Sequence, residues 1–232
     1  MTNINTTNEP GGITNAAIPS PLQSYGADDP TVFHSYFNDF DVFTAGDWTG
    51  TATGSVTNAV IAGNGGILSM INSASNADLN SLQFKAASFA IVAGSQTWMK
   101  MRFSISNATN AALVLGLIQT TTTPLTVTDG FYFAKAAAST TLTAKLAKSS
   151  TISTVNVGTL ANATSVNVGL HYDGNVTVSI WLNNVKVGSI PITNLPTANL
   201  NLTLAESNGT AAANTLNVDY VFVSQERPST LL

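Results

Sequence analysis

Apolar residues recur at every second position along most of this chain, and few patterns restrict a fold more. In "TWMKMRFSIS", Met99, Met101, Phe103 and Ile105 fall on one side, with Trp98, Lys100, Arg102 and Ser104 on the other. Successive side chains of a strand point to opposite faces, so this alternation predicts strands with one buried face. "SVNVGLHYDG" places Val166, Val168, Leu170 and Tyr172 inward, and "NLNLTLAES" does the same with Leu200, Leu202 and Leu204. In "TLNVDYVFVSQ", an unbroken period predicts Leu216, Val218, Tyr220 and Phe222 on a shared face. Turn signals such as "GNGG", "TDG", "YDGN", "LNN" and "SNGT" separate the segments. A helix has little support, although "NADLNSLQF" allows one or two helical turns. Many short, evenly spaced strands predict an all-β chain, an antiparallel two-sheet sandwich or jelly roll.

The stretch "HYDGNVTVSIWLNNVKVGSI", His171 to Ile190, reads as a hairpin. Val176, Val178, Ile180 and Leu182 are expected inward, and Val185 opens the return strand. Asn183-Asn184 suits a two-residue turn, because Asn tolerates the positive φ that tight hairpins need. His171 and Asp173 then share the face opposite Leu170 and Tyr172, at the end of the preceding strand.

Residues 1–30 stand apart. They contain Pro10, Pro19, Pro21 and Pro30 and follow neither a helical nor a strand period. This predicts an extended N-terminal arm, with the sandwich occupying residues 31–232. Two readings stay open for the arm: a disordered tail, or a segment that orders against a neighbouring subunit through Ile18, Pro19, Pro21, Leu22 and Tyr25. The start of the chain has neither the cationic nor the apolar stretch of a signal peptide. The longest apolar run, "AALVLGLI", is far short of the roughly 20 residues that cross a bilayer. A soluble chain outside the usual secretory route is therefore expected.

Composition narrows the chemistry. Charged residues make up 9% of the chain, against about 25% in an ordinary soluble protein. Thr, Asn, Ser and Ala take their place, giving a surface that hydrogen-bonds but does not titrate. A net charge of −4 and the lack of a basic stripe argue against nucleic acid. Without cysteine there is no thiolate, disulfide or zinc ribbon; a chain of this size buries roughly 70% of its unfolded surface and needs no such staple.

The two histidines, His34 and His171, come with no G-x-S-x-G elbow, which argues against a serine hydrolase. Glycoside hydrolysis uses two carboxylates about 5 to 10 Å apart. Glu9 lies in the arm, Glu206 is expected in a loop, and Glu226 is near the end. The closest acidic pair, Asp39 and Asp41 in "NDFDVF", reads as the solvated face of an early strand. Asp39, Asp41 and Asp47 offer oxygens to calcium, but no D-x-D-x-D-G loop holds them. No catalytic residue, metal or cofactor is expected, and the chain is not expected to be an enzyme. Trp98 beside Lys100 and Arg102 would either stack on a sugar or partner, or lie under a covering loop. The N-x-[ST] sites at Asn107, Asn162, Asn175, Asn201 and Asn208 follow from an Asn- and Thr-rich composition.

"FHSYFNDFDVFTAGDWTGT", "DGFYFAK", "VGLHYDGNVTVSIWLNNVKVGS" and "TLNVDYVFVSQER" form an ordered series over residues 33–227. The series resembles the concanavalin A-like or laminin-G-like jelly rolls, in which an early strand pairs with the last and a hairpin precedes it. It is also similar to virion structural proteins of tailed bacteriophages that carry such a jelly roll as a capsid decoration, or cement, protein. The resemblance implies a symmetric cap, expected to be a homotrimer, on the capsid surface. Such a cap would be made in the host bacterial cytoplasm and would bind the major capsid protein or other copies of itself. It would add stability without chemistry, touching neither nucleic acid nor membrane. Neither legume-lectin-like metal ligands nor the acidic strand motif of jelly-roll glycoside hydrolases is matched. The alternative is a glycan-binding module of a phage fibre or adhesin, using Trp98 or the loops around Trp48 and Trp181.

Overall fold

The computed structural model describes residues 32–63 and 65–227. The N-terminal arm and its anchors Ile18, Pro19, Pro21, Leu22 and Tyr25 lie outside the described residues. The early strands are β1 (Phe33–Asn38), β2 (Trp48–Thr53), β3 (Val56–Ile61), β4 (Ile67–Asn72) and β5 (Leu79–Phe84). Next come β6 (Thr97–Ile105), β7 (Ala111–Ile118), β8 (Gly130–Lys135), β9 (Thr141–Lys148) and β10 (Thr151–Thr159). The last are β11 (Val166–Tyr172), β12 (Thr177–Leu182), β13 (Val185–Pro191), β14 (Asn201–Asn208) and β15 (Thr215–Glu226). No α-helix occurs among the described residues. "NADLNSLQF" becomes a turn and then β5, because Leu82 and Phe84 alternate toward the core on one face while Ser81 and Gln83 take the other.

One sheet runs β13-β12-β11-β6-β15-β4-β3, with β1 also paired to β15; the other runs β10-β9-β8-β7-β14-β5-β2. Every pairing between these strands is antiparallel, so the chain is an all-β two-sheet sandwich. The early strand pairs with the last: Phe33 stands opposite Glu226 and Asn38 opposite Val221. The core lies between the sheets, where Met99, Met101, Phe103 and Ile105 meet Leu200, Leu202 and Leu204 with almost no exposure. Val166, Val168, Leu170 and Tyr172 also point inward.

The hairpin forms as the sequence predicts, with φ of 49° at Asn183 and 64° at Asn184. Val178 and Ile180 are fully buried, but Val176 is 62% exposed. It belongs to the preceding turn, whose backbone N–H groups bond Asp173, so the inward period begins only at Thr177–Leu182.

The sandwich closes differently along its two sides. Edge strands β10 and β13 pack on each other across the gap, so closely that a Cβ on Gly188 would lie 3.2 Å from Val155 Cγ1. Both are irregular, with register shifts in the β10–β9 and β12–β13 pairings. β3 and β2 end their sheets without such features, and neither carries a charged residue.

Glu206 lies in β14, not in a loop. Its parity with Leu202 and Leu204 turns it into the sandwich, where it has no solvent exposure. Neither carboxyl oxygen meets a donor in hydrogen-bonding geometry. Burial drives its pKa up to about 8, against the modest opposing pull of the Leu216 backbone N–H. Around it lies a buried amide lattice: Asn214 Nδ2 donates to Asn208 Oδ1 at 3.0 Å, and Asn208 Nδ2 donates to the Ser73 and Ser75 carbonyls at 2.6 and 2.9 Å.

A carboxyl whose folded pKa is raised holds its proton in the fold after the unfolded chain has lost it. The Glu206 contribution to stability is therefore complete below about 4.5 and lost as pH rises to about 8. Glu206→Gln, neutral at every pH, is expected to remove this loss and gain several kcal/mol over the parent at pH 9. Urea unfolding of both proteins from pH 4 to 9 measures it. Parallel profiles would show that Glu206 is not held neutral.

Candidate functional site: a polar groove at the bulge of the last strand

β15 pairs with β6 along its length but changes its other partner midway. Thr215 to Val218 pair with β4, and Val221 to Glu226 pair with β1. At the change the register against β6 slips: Val218 faces Phe103 and Tyr220 faces Arg102, leaving Asp219 as an extra residue. A one-residue bulge reverses the faces beyond it. Leu216 and Val218 point inward as predicted, but Val221 and Val223 follow them, while Tyr220 and Phe222 turn to the outer face. Nothing in the period marks the bulge; the run "DYVFV" offers apolar residues to both faces.

The segment after β1 supplies the other wall. β1 ends at Asn38, so Asp39 and Asp41 are not on a strand. Asn38 Oδ1 accepts from the Phe40 N–H at 2.8 Å and holds Phe40 at φ 53°. The Phe40 ring is fully buried and pins the segment to the core. Glycines make the fit possible: a Cβ on Gly66 would lie 2.0 Å from the Phe40 carbonyl oxygen, and one on Gly65 2.5 Å from Asp39 Oδ2. Flanking a buried residue, Asp39 and Asp41 separate: Asp39 lines the groove, and Asp41 is exposed outside it.

The groove has a volume of about 340 Å³ and is walled by Asp39, Arg102, Asn217, Asp219 and Tyr220, with Ile67 and Phe103 at its base. Arg102 Nη1 donates to Asp219 Oδ2 at 2.7 Å, the one salt bridge among the described residues. The Tyr220 hydroxyl donates to Asn167 Oδ1 at 2.6 Å. Burial, with the Asp219 and Asp39 charges acting against Arg102, pushes the phenol pKa up to about 12. Desolvation, then repulsion from Asp41 and Asp219, raises the Asp39 pKa. The buried Asn217 Oδ1 has no partner. Acceptors thus outnumber donors here. Phe37, 60% exposed, stands beside the groove with its ring 6.5 Å from that of Tyr220.

The other predicted candidates are occupied elsewhere. The His171 ring stacks on Trp98 at 5.1 Å and 7°, and its Nε2 is 3.0 Å from Gln96 Oε1. Burial lowers its pKa despite the nearby Asp173 and Glu226 charges. Asp173 does not partner the ring: its Oδ1 accepts from the N–H groups of Asn175, Val176 and Thr177 at 2.9, 2.9 and 3.1 Å. Desolvation works against that carboxylate, but these backbone donors outweigh it and hold its pKa low. Trp98 is 1% exposed, packed with Phe222 and Phe33, so it offers no free face to a sugar. Trp48 belongs to the core, edge-on to Phe84 at 5.5 Å, and Trp181 is half-buried. Lys100, expected on the exposed face, is 7% exposed, and burial lowers its pKa. No group of three or more His, Asp or Glu side chains gathers to hold a metal among the described residues.

No family model and no curated protein matches the sequence. Solved structures do share the fold. A protein of unknown function from Shewanella oneidensis MR-1 superimposes with a TM-score of 0.62 at 13% identity, over 87% of this chain and 90% of that one. An endo-1,3-beta-glucanase from Streptomyces sioyaensis gives 0.60 at 12% identity, over 88% and 100%. A carbohydrate esterase from the Shiga toxin-encoding bacteriophage phi24B gives 0.50 at 14%, over 76% and 89%. At such identities the likeness shows the fold alone: a jelly-roll sandwich of the concanavalin A-like, glucanase type.

Two substitutions test how the groove is held. Phe40→Ala is expected to lower stability by about 3–5 kcal/mol, the range for emptying a buried phenylalanine site. Tyr220→Phe, which removes only the bond to Asn167, should lose about 1 kcal/mol. Chemical denaturation reads both; a Phe40→Ala loss below about 1 kcal/mol would show that the ring does not pin the segment.

Proposed function

We propose that the chain is a non-catalytic structural protein of a tailed-bacteriophage virion, a rigid block that decorates the capsid by binding the major capsid protein and other copies of itself. The observation that carries this reading is that polar side chains able to do chemistry are held in structural contacts. The groups most able to react already have partners: Asp219 holds Arg102, His171 lies on Trp98, and Asp173 closes a turn. The outer face of the second sheet carries Thr49, Thr51 and Thr143 at exposed or half-buried positions, while Gln83 and Thr203 are buried beside an apolar patch that includes Val114, Ile118, Tyr132 and Ala205; apart from Lys145 the strand residues of this face carry no charge.

A surface of hydroxyls and amides binds by shape and hydrogen bonding, and little of its energy is screened by salt. Symmetric repetition then turns modest contacts into firm attachment. The sequence resemblance to virion proteins and the occurrence of the fold in a phage esterase support the assignment. A second reading, a glycan-binding module, is favoured by the groove and the exposed Phe37 ring beside it. A glycan array with Phe37→Ala as control tests that reading.

Deleting residues 1–30 is expected to leave a folded domain that no longer joins its particle. Size-exclusion chromatography with mass measurement, followed by rebinding to particles stripped of the protein, reads both outcomes. The same mass measurement should return a trimer for the full chain. Full rebinding without the arm would refute the arm's role, and failure of the intact chain to bind any particle would sink the attachment reading.

A further inference from the structure

We propose that Glu206, Asn72 and Asn214 form an internal site, between the two sheets, for a dehydrated monovalent cation of sodium's size. Glu206 and Asn208 occupy successive inward positions of β14. Across the core, Asn72 ends β4 and Asn214 precedes β15, and the Asn72 N–H donates to the Asn214 carbonyl at 3.0 Å. Asn72 Nδ2 and Asn214 Nδ2 both donate to Asn208 Oδ1, at 3.4 and 3.0 Å. Leu216, two residues after Asn214, brings its backbone N–H to bear on Glu206. The side chains thus gather in one corner of the core. Glu206 and Asn214 have no exposure there, and Asn72 has 1%.

The amide donors of this corner are spent, and acceptors are left over. Turning over the Asn72 or Asn214 amide would set its oxygen against Asn208 Oδ1, so neither can offer an N–H in its place. Asn72 Oδ1, Asn214 Oδ1 and both Glu206 oxygens remain without a donor. Sealed polar atoms of this kind call for a bound group. No cation of the chain answers Glu206. Lys135 lies in the same row beyond Leu113, but its Nζ donates to the Ala136 and Ser139 carbonyls at 3.0 and 2.7 Å. Asp78, whose carbonyl accepts from Asn72 Nδ2, has its carboxylate engaged by the Ser73 hydroxyl. A water molecule donates to only two of these oxygens and asks for a donor in return. A cation meets all of them through oxygen alone. One carboxylate balances one positive charge, whereas calcium takes about six to eight oxygens and would leave net charge buried. The cation takes the place of the proton that Glu206 otherwise holds, and that proton goes to solvent.

The full chain is melted at pH 9 and at pH 5 while sodium chloride replaces choline chloride at constant ionic strength. Sodium-23 line widths are followed in parallel. At pH 9 the melting temperature should climb by about 3–6 °C once sodium reaches roughly tenfold excess over its dissociation constant. At pH 5, well below the Glu206 pKa of about 8, a proton fills the site. The rise should then vanish and the sodium line narrow to that of the free ion. Glu206→Gln, which keeps the shape and removes the charge, should show no sodium response at either pH. Its advantage over the parent at pH 9 should therefore be largest in choline. Should this variant fail to fold, the pH contrast of the parent decides by itself. Identical melting in sodium and choline at pH 9 would overturn the proposal and leave a sealed water or a bare acid in the corner. A sodium response that survives in Glu206→Gln, or a larger rise with calcium at the same ionic strength, would overturn it too. None of these outcomes bears on attachment to the particle, which is read separately.

Discussion

Two sheets can share a core only if every strand keeps its apolar side chains on the inner face, and β15 meets that condition by breaking its own period. It pairs with β6 throughout and with β4 and then β1 on its other side, so the whole eight-stranded sheet depends on one twelve-residue strand. A single extra residue, Asp219, lets Leu216 and Val218 serve the core before it and Val221 and Val223 after it. The same residue turns Tyr220 outward and opens the groove. Architecture and candidate site therefore have a common origin, since the adjustment that lets one strand bridge two partners also leaves polar groups exposed at the seam.

At the end of the sandwich near β4, β5 and β14, apolar packing gives way to an amide lattice. Asn72, Asn80, Asn208 and Asn214 are almost fully buried, and Asn80 Nδ2 reaches across to Asn58 Oδ1 at 2.9 Å. Buried polar groups fix geometry when they are satisfied and destabilise when they are not. Most donors here find acceptors, but the acceptor oxygens Asn72 Oδ1, Asn214 Oδ1 and those of Glu206 find no donor. A neutral Glu206 is the least unfavourable state in such surroundings, because an isolated buried carboxylate costs far more than a protonated one.

Much of the fold was legible because burial on one face imprints a period on the sequence. β6, β11 and the first half of β15 matched residue by residue, and Asn183-Asn184 turned as their tolerance of positive φ predicted. The groove and the buried carboxyl were not legible, for three physical reasons. A bulge changes register without changing composition, so Tyr220 and Phe222 read as core. Asp39 and Asp41 look like one face of a strand until Phe40 takes a positive φ and divides them. Glu206 looked like a loop residue because a carboxylate at an inward position contradicts every expectation about cores. Trp98 failed as a sugar platform because its neighbours in space, Phe33 and Phe222, are far from it in the chain.

The pairing of β1 with β15 sets Phe33 opposite Glu226, so the polypeptide enters and leaves the sandwich at neighbouring points on one margin. Bringing two ends together is the chief entropic cost of splicing a domain into a loop of another protein, and here the fold has already met it. Residues 33–226 are in that sense a portable cassette: a host chain could open between two adjacent residues, accept the insert and close again with its own path scarcely lengthened.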